Sequence, residues 1–233
     1  MPVGVSLLTG GRPELLSRTI AALQARAPWL LAEHFVQVVI NGADDPTCDY
    51  VSSLDFVDDC VVLEGARMPI GPATSLAVLR LLKNVNVEYV LHLEDDWEAS
   101  GADESWLARA GDILERSPMV GQVRLRDRHE PVATRHALSG SLMEWRLEPG
   151  YLLAESAHFT FNPGLIRAAD ARRIFPCQDE REAQANFFAL GLQTAQLTPG
   201  TFRHIGGGQS LRERLLDVEK HRFRQSPQRF PAE

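Results

Sequence analysis

A single α/β domain, with a mostly parallel sheet flanked by helices, is what this sequence predicts, and three observations predict it. Strand-like and helix-like patterns alternate through the first hundred residues. Several of the strand-like runs end in polar clusters: Thr9-Gly10-Gly11-Arg12, then Asn41-Gly42-Ala43-Asp44-Asp45, then Glu94-Asp95-Asp96. The 233 residues are 44% hydrophobic and 24% charged, the balance of a chain that buries a core.

Each element follows from local pattern. Residues 3–8 are apolar and β-branched and end in Gly10-Gly11, a buried strand and a turn. Pro13 suits the first turn of a helix, and Leu15, Leu16, Thr19, Ile20 and Leu23 recur at helical spacing before Pro28. Residues 35–40 form a second buried strand, followed by a polar loop over 41–47. Residues 60–63 predict a third strand, 69–72 a loop, 74–82 an apolar helix and 88–93 a fourth strand. Beyond it the pattern is less regular. Helices are expected over 106–116, 169–174, 178–190 (with Gly191 as its stop) and 210–223, and strands over 120–125 and 193–197. Residues 124–135 read as a charged loop, 202–208 as a turn-rich segment, and 225–233 as a polar tail.

Composition narrows the function classes. A net charge of −7 argues against a nucleic-acid partner, which calls for a basic surface. Three scattered cysteines with no CxxC pair suggest neither a zinc site nor a disulfide framework. Reduced thiols, no leader-like amino terminus and no run of ~18 apolar residues together predict a cytoplasmic chain without a transmembrane segment.

In parallel α/β sheets ligands bind beyond the carboxyl ends of the strands, where the three polar clusters converge. Adjacent acids there repel one another and lose hydration, so Glu94-Asp95-Asp96 calls for a cation. A hard divalent ion, Mn²⁺ or Mg²⁺, takes one or two carboxylates with phosphate oxygens and water. The same acids would also suit an ordinary helix amino terminus.

Leu91-His92-Leu93-Glu94-Asp95-Asp96-Trp97 resembles the DXD-type motif of glycosyltransferases with the GT-A fold, a Rossmann-like architecture. The chain is most similar to their inverting family-two group. The resemblance implies that Asp96 binds the metal and that Glu94 and Asp95 stand beside the nucleotide, with Glu94 where Asp is more usual. Residues 6–13 are similar to the family's first strand and donor loop, which implies Thr9, Gly10 and Gly11 against the nucleoside and Arg12 near a phosphate. Residues 41–47 resemble the loop that holds the base: Asn41 lies in it, and Asp44 or Asp45 would accept from the uracil N3–H. Gly71-Pro72-Ala73 resembles the segment that closes over the donor, with Arg67 upstream of it near the diphosphate. Asp179-Glu180-Arg181-Glu182, with Gly191 eleven residues after Glu180, resembles the family's base-bearing helix. Glu180 is the base it implies, with Asp179 and Glu182 as substitutes. His204, before three glycines, corresponds to a further metal ligand in metal-dependent members.

The implied function is metal-dependent transfer of a sugar, with inversion, from a nucleotide-sugar donor (a UDP-sugar favoured) to an acceptor hydroxyl. The acceptor is a small molecule, a saccharide or a lipid-linked species. Residues 1–98 would form the nucleotide-sugar-binding half and 99–224 the acceptor-binding and catalytic half. A nucleotidyltransferase, or an inactive domain that only binds nucleotide sugars, is the alternative.

Overall fold

The computed structural model describes residues 1–42, 45–101, 103–127, 134–135, 142–154 and 158–206. The expected helix over 210–223, the tail, and Asp44 lie outside the described residues.

The first half follows the predicted alternation: β1 (Val3–Thr9), α1 (Pro13–Arg26), α2 (Pro28–Glu33), β2 (Phe35–Asn41), α3 (Asp45–Ser52), β3 (Asp59–Leu63), α4 (Ile70–Asn84) and β4 (Tyr89–Glu94). The second half runs β5 (Trp97–Ala99), α5 (Trp106–Arg116), β6 (Val120–Arg124), β7 (Thr134–Arg135), β8 (Leu142–Met143), β9 (Trp145–Glu148), β10 (Tyr151–Ala154), β11 (Gly164–Arg167), α6 (Ala168–Ile174), α7 (Glu180–Ala189), β12 (Gln193–Leu197) and β13 (Phe202–His204).

Nine strands form one sheet, in the order β3-β2-β1-β4-β11-β6-β12-β10-β9. The first four are parallel neighbours. β11 is antiparallel to both β4 and β6, β12 is parallel to β6, and β10 is antiparallel to β12 and β9. Seven strands therefore point one way, and only β10 and β11 run against them. The carboxyl ends of β1, β2 and β4 share an edge, fixed by the registers Thr9 with Ile40 and Leu8 with Glu94.

Alternation along the strands builds a core on each face. Leu91 and Leu93 pack with α1, α2 and α5 through Leu16, Ile20, Leu30 and Trp106, among others. Val90 packs with α4, α6 and α7 through Val78, Leu81, Ile174 and Phe187. Burying both faces requires the near-continuous apolar runs seen in β1 and β2.

Four expectations need correction, and a fifth, the stop of α1 before Pro28, holds and is extended by a further helix. Residues 69–72 are not a loop throughout, because α4 begins at Ile70; Pro72 falls in the first turn, where a missing N–H costs nothing. The polar stretch 41–47 gives way to α3 at Asp45, a residue favoured at helix starts. Pro28 both ends α1 and opens α2 at its first turn. Residues 202–204 are a strand rather than turns, paired antiparallel with β5. The helix expected over 178–190 starts at Glu180, with Asp179 as its cap, and Gly191 follows its end at φ +69°.

Candidate active site

β1 and β4 lie side by side, so the turn after β1 and the acids after β4 meet at the carboxyl edge of the sheet. Asp95 is fully buried. Its Oδ2 accepts from the Thr9 hydroxyl at 2.7 Å, the Gly10 N–H at 3.1 Å and Arg12 Nε at 3.3 Å, and its Oδ1 accepts from Arg12 Nη2. Its own N–H donates to the Leu8 carbonyl, and its carbonyl accepts from the Thr19 hydroxyl at 2.8 Å. The resemblance implies Asp95 beside a nucleotide, yet its carboxylate is turned inward and occupied by protein donors. Arg12 and Thr9 are engaged with it rather than directed outward. Gly11, with φ +67°, makes this reversal possible in backbone few other residues adopt.

Asp96 differs. Arg12 Nη2 donates to its Oδ2 at 3.1 Å, and His204 Nε2 lies 3.6 Å from the same oxygen. Its Oδ1 is buried and accepts no hydrogen bond among the described residues. Burial opposes the charge of Asp96, but His204 and Arg12 outweigh it and hold the carboxyl below its ordinary pKa. Arg12 is desolvated too, yet its contacts with Asp95 and Asp96 raise its pKa further. β13 delivers His204: its partner on β5 is Trp97, the ring centroids are 4.9 Å apart, and the Ile205 N–H donates to the Asp96 carbonyl. A Cβ on Gly206 would stand 2.5 Å from Asp96 Oδ2, so only glycine lets this segment close over the acid.

Glu94 is half-buried, and its pKa is pushed up to about 8. Burial is the main cause, followed by repulsion from Asp96, Asp95 and Glu180, with Arg12 opposing. The last of those repelling charges belongs to α7, which puts the second acidic cluster within electrostatic reach of the first.

In that second cluster two acids cap the helix. The Glu182 N–H donates to Asp179 Oδ1 at 2.8 Å, and the Gln178 N–H donates to Glu182 Oε2 at 2.6 Å, a relative of the capping box in which the second bond falls one residue before the cap. Glu180 is half-buried and accepts from the Phe161 N–H at 3.2 Å, a single bond to a carboxylate with room for several. Asp179 and Glu182 thus have structural work, and among the described residues Glu180 accepts only the Phe161 N–H.

α4 ties the clusters together. A Cβ on Gly71 would fall 2.3 Å from the Gln178 carbonyl, and the Ser75 hydroxyl bonds to the Cys177 backbone N–H at 2.9 Å. Upstream, Arg67 is exposed and lies across the donor turn: a Cβ on Gly10 would come within 3.1 Å of its guanidinium carbon, and one on Gly42 within 3.2 Å of its Cβ. Asn41 is engaged in both directions with Met68, through Nδ2 to the carbonyl at 2.9 Å and Oδ1 from the N–H at 2.8 Å. It therefore shapes the loop. Asp45 is exposed at the start of α3.

Sequence reasoning missed the parts played by Trp97, Gly206 and Phe161. Trp97 is clasped between His204 and the Arg126 guanidinium, 5.5 Å from its ring centroid. Its place directly after the acid motif was the available signal. Phe161 acts through its backbone, which leaves no mark on residue choice.

Among the described residues no three His, Cys, Asp or Glu side chains form a metal-ligating group. Asp96 and His204 remain a fitting pair for a divalent ion: one hard oxygen donor set with a buried, unpartnered Oδ1, and one imidazole. Two protein ligands suffice where phosphate oxygens and water complete the shell.

No family model matches the sequence, and no curated protein matches it. Solved structures do. The mannosyltransferase PcManGT from Pyrobaculum calidifontis, in complex with GDP-Man and Mn²⁺, superposes with a TM-score of 0.59 at 15% identity over 96% of this chain and 64% of that one. S. aureus TarS 1-349 with UDP-GlcNAc gives 0.57 at 13% identity, over 95% and 65%. GalNAc-T7 with UDP, GalNAc and Mn²⁺ gives 0.63 at 12% identity, over 88% and 44%. This chain spans less than two thirds of the length of each of the three. What they share with it is architecture: the protein has the GT-A fold, with its mixed α/β sheet and flanking helices.

Proposed function

We propose that the protein is a glycosyltransferase that moves a sugar from a nucleoside diphosphate donor, a UDP-sugar by preference, to an acceptor hydroxyl with inversion. The observation that carries this reading is the pairing of Asp96 and His204 at the sheet edge, with a half-buried Glu180 whose charge reaches the neighbouring Glu94. The three solved structures of the same fold, each holding a nucleotide or nucleotide sugar and two of them Mn²⁺, support it.

Asp96 and His204 would hold a divalent cation, which neutralises charge on the departing diphosphate. Arg67, exposed beside Gly10 and Gly42, would meet the diphosphate. Glu180 takes the proton of the acceptor hydroxyl as its oxygen bonds to the anomeric carbon, while the bond from that carbon to the diphosphate oxygen breaks on the opposite face. Asp179 and Glu182 fix the helix start that aims Glu180. Glu94, neutral below about pH 8, can donate to an oxygen of the bound nucleotide where an ionised carboxylate would repel phosphate. The acceptor is a small molecule, a saccharide or a lipid-linked species. No helix among the described residues is long and apolar enough to cross a membrane.

Calorimetric titration with UDP, with and without Mn²⁺, tests the donor site. Metal-dependent binding that disappears in Asp96→Ala supports it. In an assay with nucleotide sugars and an acceptor panel, release of nucleoside diphosphate is expected. Pyrophosphate release from nucleoside triphosphates would replace this reading with nucleotidyl transfer.

A further inference from the structure

Arg12 occupies a position that the proposed chemistry does not explain. A guanidinium donates to Asp96 Oδ2 at 3.1 Å, on the same oxygen that faces His204 Nε2 at 3.6 Å. A dication shared by Asp96 and His204 and this guanidinium would be held on one carboxylate, two cations within a few ångströms of each other in a partly buried setting where water screens poorly. Gly206 closes the other flank of Oδ2, where even a methyl group would collide, so the crowding has no relief on that side.

Arg12 itself can move. Its side chain is 26% exposed, against 1% for Asp95 and 8% for Asp96. It precedes α1 as a cap residue whose side chain makes no capping hydrogen bond, and Gly11 stands before it. Its Nε bond to Asp95 Oδ2, at 3.3 Å, is independent of Asp96 and supplies a pivot. Arg67 lies against Gly10, so a second guanidinium flanks the same turn. A nucleoside diphosphate arriving there would offer Arg12 anionic oxygens in exchange for Asp96.

We infer that Arg12 is an internal counter-ion that guards the metal position, released from Asp96 by the diphosphate of the donor, so that metal and nucleotide bind cooperatively. This rests on the proposed function but adds a role for a residue outside the metal and base set. Before donor arrives, Arg12 neutralises the acid pair and keeps a free divalent ion from settling there. Once the diphosphate draws it away, Asp96 presents a full carboxylate beside His204. Linkage makes the effect reciprocal: nucleotide raises metal affinity by the factor by which metal raises nucleotide affinity.

The test is Mn²⁺ binding followed by electron paramagnetic resonance of the free ion, with and without UDP, in the wild-type chain, Arg12→Gln and Asp96→Asn. In the wild type UDP is expected to tighten Mn²⁺ binding by about tenfold or more, within the usual range of coupling between sites. Arg12→Gln is expected to bind Mn²⁺ without UDP about tenfold more tightly than the wild type, with the UDP effect smaller than in the wild type and the remainder owed to direct phosphate ligation of the ion. Asp96→Asn is expected to lose the site. Equal or weaker Mn²⁺ affinity in a folded Arg12→Gln chain overturns the inference and leaves the proposed function standing. No Mn²⁺ binding to the wild type under any condition overturns both. Because Arg12 also holds Asp95, a second measurement needs no variant: the Arg12 Nε–H resonance of the ¹⁵N-labelled wild type. It should shift with UDP plus Mg²⁺ and stay in place with Mg²⁺ alone; a shift with Mg²⁺ alone also overturns the inference.

Discussion

Three acids stand at the end of β4 and three at the start of α7, and the two groups dispose of their charge by different means. After β4 the work is done by side chains from far along the chain. Thr9 and Arg12, more than eighty residues away, close on Asp95, while Asp96 is shared between Arg12 and His204. At α7 the work is done by the local backbone, with Asp179 and Glu182 each accepting an N–H within four residues. Each group leaves a different remainder: Asp96 with a buried free oxygen beside an imidazole, and Glu180 with one backbone N–H. Acids of equal appearance in sequence are sorted into structural and chemical ones by whichever hydrogen-bond donors reach them first.

That contrast can be broken at four places, from the largest effect to the smallest. Glu180→Gln should lower turnover by about 10²- to 10⁴-fold, the range for a lost general base, with calorimetric UDP affinity unchanged. An equal loss of UDP binding would mean that the two clusters are not divided by role. Asp95→Ala leaves the Thr9 hydroxyl and the Gly10 N–H without their acceptor and Arg12 with Asp96 as its remaining partner, and should lower unfolding free energy in urea by about 2–3 kcal/mol. A loss below about 1 kcal/mol would show that the ionic knot forms only weakly.

Glu94 tests the coupling between the clusters. Its folded pKa of about 8 lies above the ordinary 4.5, so the unfolded chain releases that proton first. Its contribution to stability is therefore lost as pH rises from about 4.5 to about 8. Glu94→Gln, measured without metal or nucleotide, should match the wild type near pH 4.5 and become the more stable chain by a few kcal/mol at pH 8. A pH-independent difference would mean that burial and the neighbouring acids do not hold the Glu94 proton. Asp179→Ala removes one cap and should cost about 1 kcal/mol, visible as a melting temperature lower by about 2–4 °C. A loss as large as that at Asp95 would erase the distinction between local and distant neutralisation.

The same distinction governs what was legible in the sequence. β1, β2 and β4 are buried on both faces and announce themselves as apolar runs, and α1 and α5 show helical spacing and suitable ends. The meeting of Thr9, Asn41 and Glu94 at one edge follows from that alternation. β9 left no such trace, because it lies at the sheet edge with Arg146 and Leu147 exposed, and the apolar run of β10 is only four residues long. β13 was hidden for another reason: its partner β5 is about a hundred residues upstream, and Phe-Arg-His pairs through backbone that any sequence supplies. The inward turn of Asp95 was equally invisible, since nothing near Asp95 in sequence shows that Arg12 will reach it. The capping pattern was present as Asp179-x-x-Glu182, the spacing by which both acids accept backbone N–H groups at the start of α7.

Gly71 has a bearing on how such a protein can change over time. The amino end of α4 touches the chain leading into α7 with no room for one added carbon, and Ser75 fastens the same junction. The spacing between α4 and the start of α7 is therefore set by a hard stop rather than by an adjustable loop. Sequence drift in β9 and β10, at the far edge of the sheet, leaves that contact untouched. Drift at position 71 would alter the spacing itself, so the two regions are free to vary separately.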